Sequence, residues 1–246
     1  MLRIVQVGGK DAGDFLHRVT AGTVKGLDPG QGRAGLLLNG QSRVLAQFDL
    51  LRVEPDRYLL AAPAECAAAL AAGLEDLHFS EALEIELLDA TASAVPARGV
   101  TRGDSGPFAI RGGALVLEWT SPVPDYDFST TARDVPPGWE FARIGALVPW
   151  PESEWTRGGT PALEAGMLPW IDRHKGCYPG QEVVELSLNV GHPARVLVAV
   201  EGDAPWAGAA VTSSAHENGK WRALVRLPWK GKDNFPPGIS RLASHW

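Results

Sequence analysis

An α+β fold is predicted by three features of this sequence of 246 residues. Residues 2–7 alternate in polarity as a half-buried strand does, and an amphipathic helical stretch with Asp11 as its N-cap follows. An alanine-rich stretch at 63–77 predicts a second helix. Between these helices the sequence predicts three strands joined by turns short enough for antiparallel pairing, at 34–39, 43–53 and 57–61. Strands and helices in this order are typical of an α+β sheet domain.

The rest of the chain has weaker patterns. The elements predicted there are a strand at 83–88, short β pieces at 107–110 and 114–119, a partly helical stretch at 151–165, a helix at 180–188, and strands at 195–200 and 221–227. The last part, from about residue 192, is expected to form a small β module.

Composition and charge exclude several classes of function. The net charge of −6 argues against binding of nucleic acid through a general positive field. No apolar run approaches the roughly 20 residues that cross a bilayer, and no N-terminal secretion signal is present. We therefore expect a cytoplasmic protein without a membrane partner. In a reducing compartment a structural disulfide between Cys66 and Cys177 is not expected, and Cys66, in an alanine-rich run, is given no function.

The segment at 174–182, His-Lys-Gly-Cys-Tyr-Pro-Gly-Gln-Glu, has the composition of a chemically active turn. Glycines and a proline bracket Cys177, so the thiol is expected on a tight, exposed turn ahead of a helix. The positive end of that helix, with Lys175 or a protonated His174, would stabilise a thiolate. The His174–Cys177 spacing resembles half of a zinc site, but no second pair of ligands is present, so no metal is expected. The residues alone leave a reactive turn and a merely tight turn equally open.

The run Lys-Gly-Cys-Tyr-x-Gly-Gln-Glu at 175–182 resembles the defining motif of the YgfZ family. The residues that follow strengthen the likeness, with Val-Val at 183–184 and Gly-His-x-x-Arg-x-Leu at 191–197. That family is related to the T-protein, the aminomethyltransferase of the glycine cleavage system. The resemblance implies binding of tetrahydrofolate or a one-carbon derivative, and a role in assembling or repairing iron-sulfur proteins, whose client or assembly proteins would be the partners.

The likeness extends over most of the chain. Phe-Leu-x-x-Val-Thr at 15–20, Leu-Leu-Leu-Asn at 36–39 and the stretch at 43–60 are similar to the N-terminal half of these proteins. The resemblance implies two interwoven α+β subdomains of the T-protein type in residues 1–190. It also implies a short, barrel-like β module in residues 191–246, with both parts arranged around a central folate channel.

The resemblance also implies the residues of the site. Leu-Glu-Ala-Gly-Met at 163–167 resembles the T-protein stretch whose glutamate holds the pterin ring, and a carboxylate can accept two parallel hydrogen bonds from the pterin N–H edge. Eight of the nine tryptophans follow residue 138, and most are expected to fill a core. The predicted site residues are Cys177 as the essential group, Glu164 for the pterin, Lys175 for the glutamyl carboxylates of folate, Tyr178 and Gln181 as pocket walls, and Trp170 as a ligand neighbour.

Several positions depart from the related families. Gln47 stands about where the T-protein has its catalytic aspartate, and a glutamine cannot supply that negative charge. Asp49, next but one in the same strand, would point to the same face and is the candidate substitute. Ala162 and Leu186 stand where the T-protein and YgfZ-like proteins, respectively, usually have arginine.

Three functions follow from these observations. The first is a tetrahydrofolate-binding YgfZ-like protein that supports iron-sulfur proteins through Cys177. The second is a folate-dependent, aminomethyltransferase-like one-carbon transferase that uses Asp49. The third is a non-catalytic folate-binding module. The sequence leaves open the substrate, the occurrence of turnover, the chemical role of the thiol, the client proteins and the oligomeric state.

Overall fold

The protein is described by a computed structural model that covers residues 2–92, 94–96, 115–117, 138–206 and 210–246. Side chains are described in 2–88, 138–206 and 210–246. The β piece predicted at 107–110 lies outside the described residues. The piece predicted at 114–119 is described only as a short strand, Leu115–Leu117, which pairs with Ala94–Pro96.

The first half of the chain folds around a five-stranded sheet in which every neighbouring pair is antiparallel. The strand order is β2-β3-β4-β1-β5. The strands are β1 (Leu2–Gly8), β2 (Gly32–Leu38), β3 (Val44–Glu54), β4 (Arg57–Pro63) and β5 (Glu84–Ala92). The antiparallel pairing of β2, β3 and β4, which the short turns between them predicted, is confirmed. The α+β class is confirmed as well, because sheets and helices mix in this chain, whereas the two interwoven subdomains and the central channel stay predictions.

Two helices belong to this half, α1 (Ala12–Val19) and α2 (Ala64–Glu75). Both were predicted from the sequence. Asp11 does precede α1, but its side chain makes no capping hydrogen bond. It accepts one from the backbone N–H of Ala82 instead (2.7 Å), so the predicted N-cap position is confirmed while the side chain joins α1 to the start of β5.

The sheet face opposite α2 is covered by residues 147–171, called the cover segment below. Gln47 on β3 is hydrogen-bonded to this segment. Leu36 on β2 lies opposite Gln47 in the register, whereas the next residue, Leu37, contacts Gly73 on α2. Because neighbouring residues of a strand point to opposite faces, the helix and the cover segment pack on different faces of the sheet.

The cover segment is not helical, so the prediction of a partly helical stretch at 151–165 is wrong. Its internal backbone hydrogen bonds form isolated turns, and it also bonds to β3, through Val44 N–H to the Thr160 carbonyl (3.0 Å) and Gly158 N–H to the Val44 carbonyl (2.8 Å). Gly158 has a left-handed φ of 67°, which interrupts any helix. A single 3₁₀ turn, Leu168–Trp170, is the helical part of the segment.

The C-terminal part forms an open sheet of four antiparallel strands in the order β11-β8-β10-β9, where β6 and β7 are the short strands named above. The strands are β8 (Arg195–Gly202), β9 (Val211–Glu217), β10 (Lys220–Pro228) and β11 (Ile239–Ser244). The sequence predicted β8 and β10 but not the two edge strands. Within the described residues β9 and β11 do not pair, so the barrel-like closure is not confirmed. The domain boundary at residue 190 stays a prediction.

Two more helices connect the parts, α3 (Trp139–Gly145), which packs against β9, β10 and β8, and α4 (Gln181–Asn189). Arg143 of α3 forms a buried ion pair with Glu154 of the cover segment, at a distance of 3.0 Å. Arg143 also donates to the Ser213 hydroxyl on β9 (2.7 Å). These charge-assisted bonds satisfy groups that would be costly to bury alone, and they join α3, the cover segment and the C-terminal sheet.

Candidate functional site

Residues 172–180, called the thiol turn below, present Cys177 to solvent. Cys177 is exposed and is a free thiol. Cys66, by contrast, is buried under the sheet, with its sulfur 3.8 Å from the Gln47 carbonyl oxygen, and burial raises its pKa to about 12. A thiol is reactive as the thiolate, so Cys66 is chemically quiet. The structure places Cys177 where a second molecule can reach it.

Lys175 fastens the thiol turn to the end of α1. Its ammonium donates to the carbonyl oxygens of His17, Thr20 and Gly22, the last at 3.2 Å. An ammonium group has three N–H donors, so all three are used. His17 lies in the last turn of α1 and Thr20 is its C-cap, and carbonyls at a helix end lack partners within the helix and favour a cation, whereas Gly22 lies just beyond the helix. Burial lowers the pKa of Lys175 to about 8, against the opposing effect of Asp172.

Tyr178 anchors the turn on the other side of the thiol. Its side chain is buried, and its ring centre lies 5.4 Å from the Lys175 ammonium in a cation–π contact. Burial raises the pKa of Tyr178 to about 12, and its hydroxyl is buried without a hydrogen-bond partner among the described residues. Cys177 therefore stands between two inward-facing side chains that hold its backbone.

Gly180 closes the turn and begins α4. Its φ is 83°, and a Cβ atom there would lie 2.5 Å from the Asn39 carbonyl oxygen and 2.8 Å from the backbone of Ser42. Only glycine fits such a position without displacing backbone. Gln181, the first residue of α4, is half-buried, and its side chain makes no hydrogen bond within the described chain. Lys175, Tyr178 and Gly180 thus support the fold of the turn, while Gly176 and Cys177 face solvent.

Glu164 lies in the cover segment beside the C-terminal sheet. It is half-buried and accepts no hydrogen bond from any described residue. Its charge acts on Arg226 of β10, whose pKa is lowered mainly by burial while Glu164 opposes that shift. A little further along, Gly166 packs on Leu197 of β8. The Glu164 carboxylate is thus available to N–H donors of a ligand.

A cleft between the sheet and the cover segment, called the Asp49 cleft below, holds a second carboxylate. Asp49 on β3 is buried, and none of the described residues donates a hydrogen bond to it. Burial raises its pKa to about 7. The cleft is narrow, with a cavity volume of about 20 Å³, and its lining includes Gln47, Trp150 and Trp170. The expected placement of Asp49 on the same face as Gln47 is confirmed.

Gln47 is committed to the packing of the cleft wall. Its amide nitrogen donates to the Pro149 carbonyl (3.1 Å), and its amide oxygen accepts from the Trp155 indole N–H (2.7 Å). Both ends of the amide are therefore occupied. Asp49 is the side chain of this strand that remains free for chemistry.

The predicted site residues fall in two regions. Cys177, Lys175, Tyr178 and Gln181 belong to the thiol turn and the start of α4. Trp170 and Glu164 belong to the cover segment, and Trp170 lines the Asp49 cleft. The chain runs directly from Trp170 into the thiol turn, where the Asp172 N–H donates to the Ala21 carbonyl (2.9 Å) next to the carbonyls that Lys175 binds.

Sequence reasoning missed Trp150, which lines the same cleft and packs edge-on against Trp139 with ring centres 5.8 Å apart. The signal available in the sequence was the clustering of tryptophans after residue 138, but it does not tell which rings face a cavity. In the described parts of the chain no three His, Cys, Asp or Glu side chains are grouped to hold a metal ion. None of the helices described is long and apolar enough to cross a membrane.

Comparison with known proteins supports the fold. No family model matches the sequence, and a search of curated proteins finds no match. Among solved structures, the glycine cleavage system aminomethyltransferase T from Bartonella henselae is similar, with a TM-score of 0.71 and 20% sequence identity. The similarity covers 94% of this chain and 77% of that chain. At this identity the likeness shows the fold: the chain has an α+β architecture similar to that of the glycine cleavage aminomethyltransferase.

The close approach at Gly180 makes a prediction about the turn. We expect Gly180→Ala to lower the free energy of unfolding by about 1–3 kcal/mol, because the left-handed backbone and the contact with Asn39 both resist a side chain. Gly176→Ala is the matched control, since a Cβ there meets nothing within 4 Å. Urea denaturation of both variants measures the difference. Equal stability of the two variants would contradict the described packing of the turn.

The raised pKa of Asp49 makes a prediction about pH. The folded-state pKa of about 7 exceeds the ordinary value of 3.8. Between these two pH values the folded protein therefore binds more protons than the unfolded protein does. The stability of the wild type relative to Asp49→Asn should therefore fall by up to about 4 kcal/mol from pH 4 to pH 7 and level off above pH 7. Urea denaturation of both proteins at four pH values across this window measures it. A constant difference would show that Asp49 is not buried as described.

Proposed function

We propose that this protein is a tetrahydrofolate-binding, YgfZ-like protein of the cytoplasm that supports the assembly or repair of iron-sulfur proteins, with Cys177 as its reactive group. The observation that carries the proposal is the exposed Cys177 thiol on a turn whose neighbours, Lys175 and Tyr178, are both anchored. This arrangement occurs in a chain with a fold similar to that of a glycine cleavage system aminomethyltransferase. Iron-sulfur client or assembly proteins are the partners proposed.

The side chains present fit a folate. The Glu164 carboxylate has no hydrogen-bond donor among the described residues, and it suits the pterin edge, which offers two parallel N–H groups. Asp49 is a second carboxylate without a hydrogen-bond donor among the described residues, and it lies in a narrow cleft that Trp150 and Trp170 line. Tetrahydrofolate would supply a one-carbon unit. The residues of this chain would bind and orient the ring and keep water from one of its faces.

Cys177 would act toward a partner outside the chain. It is exposed, whereas the described residues on either side of it face inward or are glycine. An accessible thiol held on a fixed backbone keeps its position when a partner approaches, which reduces the ordering cost of the encounter. An exposed thiol therefore suits chemistry on another protein better than chemistry on a small molecule enclosed within the fold.

Folate binding tests the ligand. Isothermal calorimetry of the wild type with tetrahydrofolate should give a measurable Kd, and Glu164→Gln should weaken binding by about tenfold or more, because a hydrogen bond to a charged group is lost. The matched control is Glu182→Gln on the exposed side of α4. Absence of heat and of any thermal shift with the wild type at high ligand concentration would contradict the proposal.

The role of the thiol is tested in cells that lack the native protein. Cys177→Ser should abolish the recovery of iron-sulfur enzyme activity that the wild type gives, with an unchanged thermal midpoint because the side chain is exposed. Cys66→Ala is the control and should retain function, since that thiol is buried. Full recovery by Cys177→Ser would remove Cys177 from the proposal.

A second function is favoured by Asp49. A buried carboxyl with a pKa of about 7 can give and take a proton near neutral pH, as a general acid or base requires. We infer, as the alternative, a one-carbon transferase in which Asp49 takes the place of the aspartate missing at Gln47. Turnover of methylenetetrahydrofolate with a panel of amines, lost in Asp49→Asn, would support it, and no turnover with any amine would exclude it.

A further inference from the structure

The thiol turn is bound to the end of α1 at two points. Lys175 donates to three carbonyls between residues 17 and 22, which lie about 150 residues earlier in the chain. Asp172 accepts a hydrogen bond from the Thr23 hydroxyl and, through its backbone N–H, donates to the Ala21 carbonyl. The conformation of the turn therefore depends on contacts far away in sequence.

We propose that Lys175 is a positioning residue, which holds Cys177 in place by fastening the thiol turn to the last carbonyls of α1, and that release of this contact loosens the turn. The inference rests on the proposed function only in taking Cys177 as the reactive group. It gives Lys175 a task different from the attraction of folate carboxylates that the sequence predicts.

The contacts favour this role over ligand binding. All three N–H donors of Lys175 are used within the protein, so a ligand carboxylate would have to take them from backbone carbonyls. One of those carbonyls belongs to Thr20, which is 1% exposed. A buried carbonyl left without a donor is unfavourable. The ammonium also lies over the ring of Tyr178, which holds it from the turn's own side.

The charged and titratable groups around the ammonium make a pH test selective. Burial lowers the pKa of Lys175 to about 8, so its charge changes between pH 7 and pH 9. His17 on α1 has a pKa lowered chiefly by burial, and Asp172 has a pKa lowered chiefly by its bond from Thr23. Tyr178 has a pKa of about 12. Of these four groups, only Lys175 changes charge in that window.

Hydrogen exchange of the backbone amides at 173–180 tests the proposal without folate or a client protein. At pH 7 we expect Lys175→Met to increase their exchange rates by about tenfold or more, because the turn opens locally. Lys10→Met is the matched control at the opposite end of α1, where the side chain is exposed, and it should leave these rates unchanged. Lys175→Arg keeps a permanent charge and should keep the rates low.

The wild type provides an independent arm should Lys175→Met fail to fold. After correction for the intrinsic effect of pH, its amides at 173–180 should exchange faster at pH 9 than at pH 7, whereas those of α2 should not. Lys175→Arg should show no such change. Equal corrected rates at both pH values in the wild type would overturn the proposal, as would wild-type rates in a folded Lys175→Met. Neither result depends on folate binding or on iron-sulfur enzyme activity, so it leaves the proposed function standing.

Discussion

The docking of the thiol turn onto the first half of the chain is the constraint on which the site depends. Lys175 fills the carbonyl end of α1, and Gly180 allows the backbone to pass within contact distance of the Asn39–Ser42 turn. Between these two fixed points the chain has room to expose one side chain, and that side chain is Cys177. Lys175 and Gly180 of the motif at 175–182 thus fix the backbone of the turn, and Cys177 is the residue whose side chain is accessible to a partner.

The thiol turn follows directly on the segment that forms the wall of the Asp49 cleft. The cover segment closes one face of the first sheet because Gln47 binds it at both ends of its amide, and the chain then runs from Trp170 in the cleft wall to the thiol turn. A glutamine in this strand therefore stabilises the wall of the cleft. The free carboxylate is found two residues further on, at Asp49, on the same face.

The sequence was sufficient for elements whose signal is local. Periodicity and short turns predicted β1 to β4, both early helices and α4. The prediction of a helix at 151–165 was wrong because that backbone pairs with β3, a partner about 110 residues away that local patterns do not contain. The edge strands β9 and β11 were missed because their exposed faces dilute the apolar alternation. For the site, the glycine-bounded turn predicted an exposed thiol. Neighbours in sequence do not reveal the three carbonyls that Lys175 binds, and they do not reveal that Asp49 lies isolated in a cleft.

The central proposal is that a folate binds through the Glu164 carboxylate while Cys177 stays accessible. A crystal structure of the protein with tetrahydrofolate tests this most directly. Our account predicts a pterin ring held by the Glu164 carboxylate, with Cys177 uncovered by the ligand. A ring bound elsewhere on the chain, or a ligand that buries the Cys177 sulfur, would contradict it.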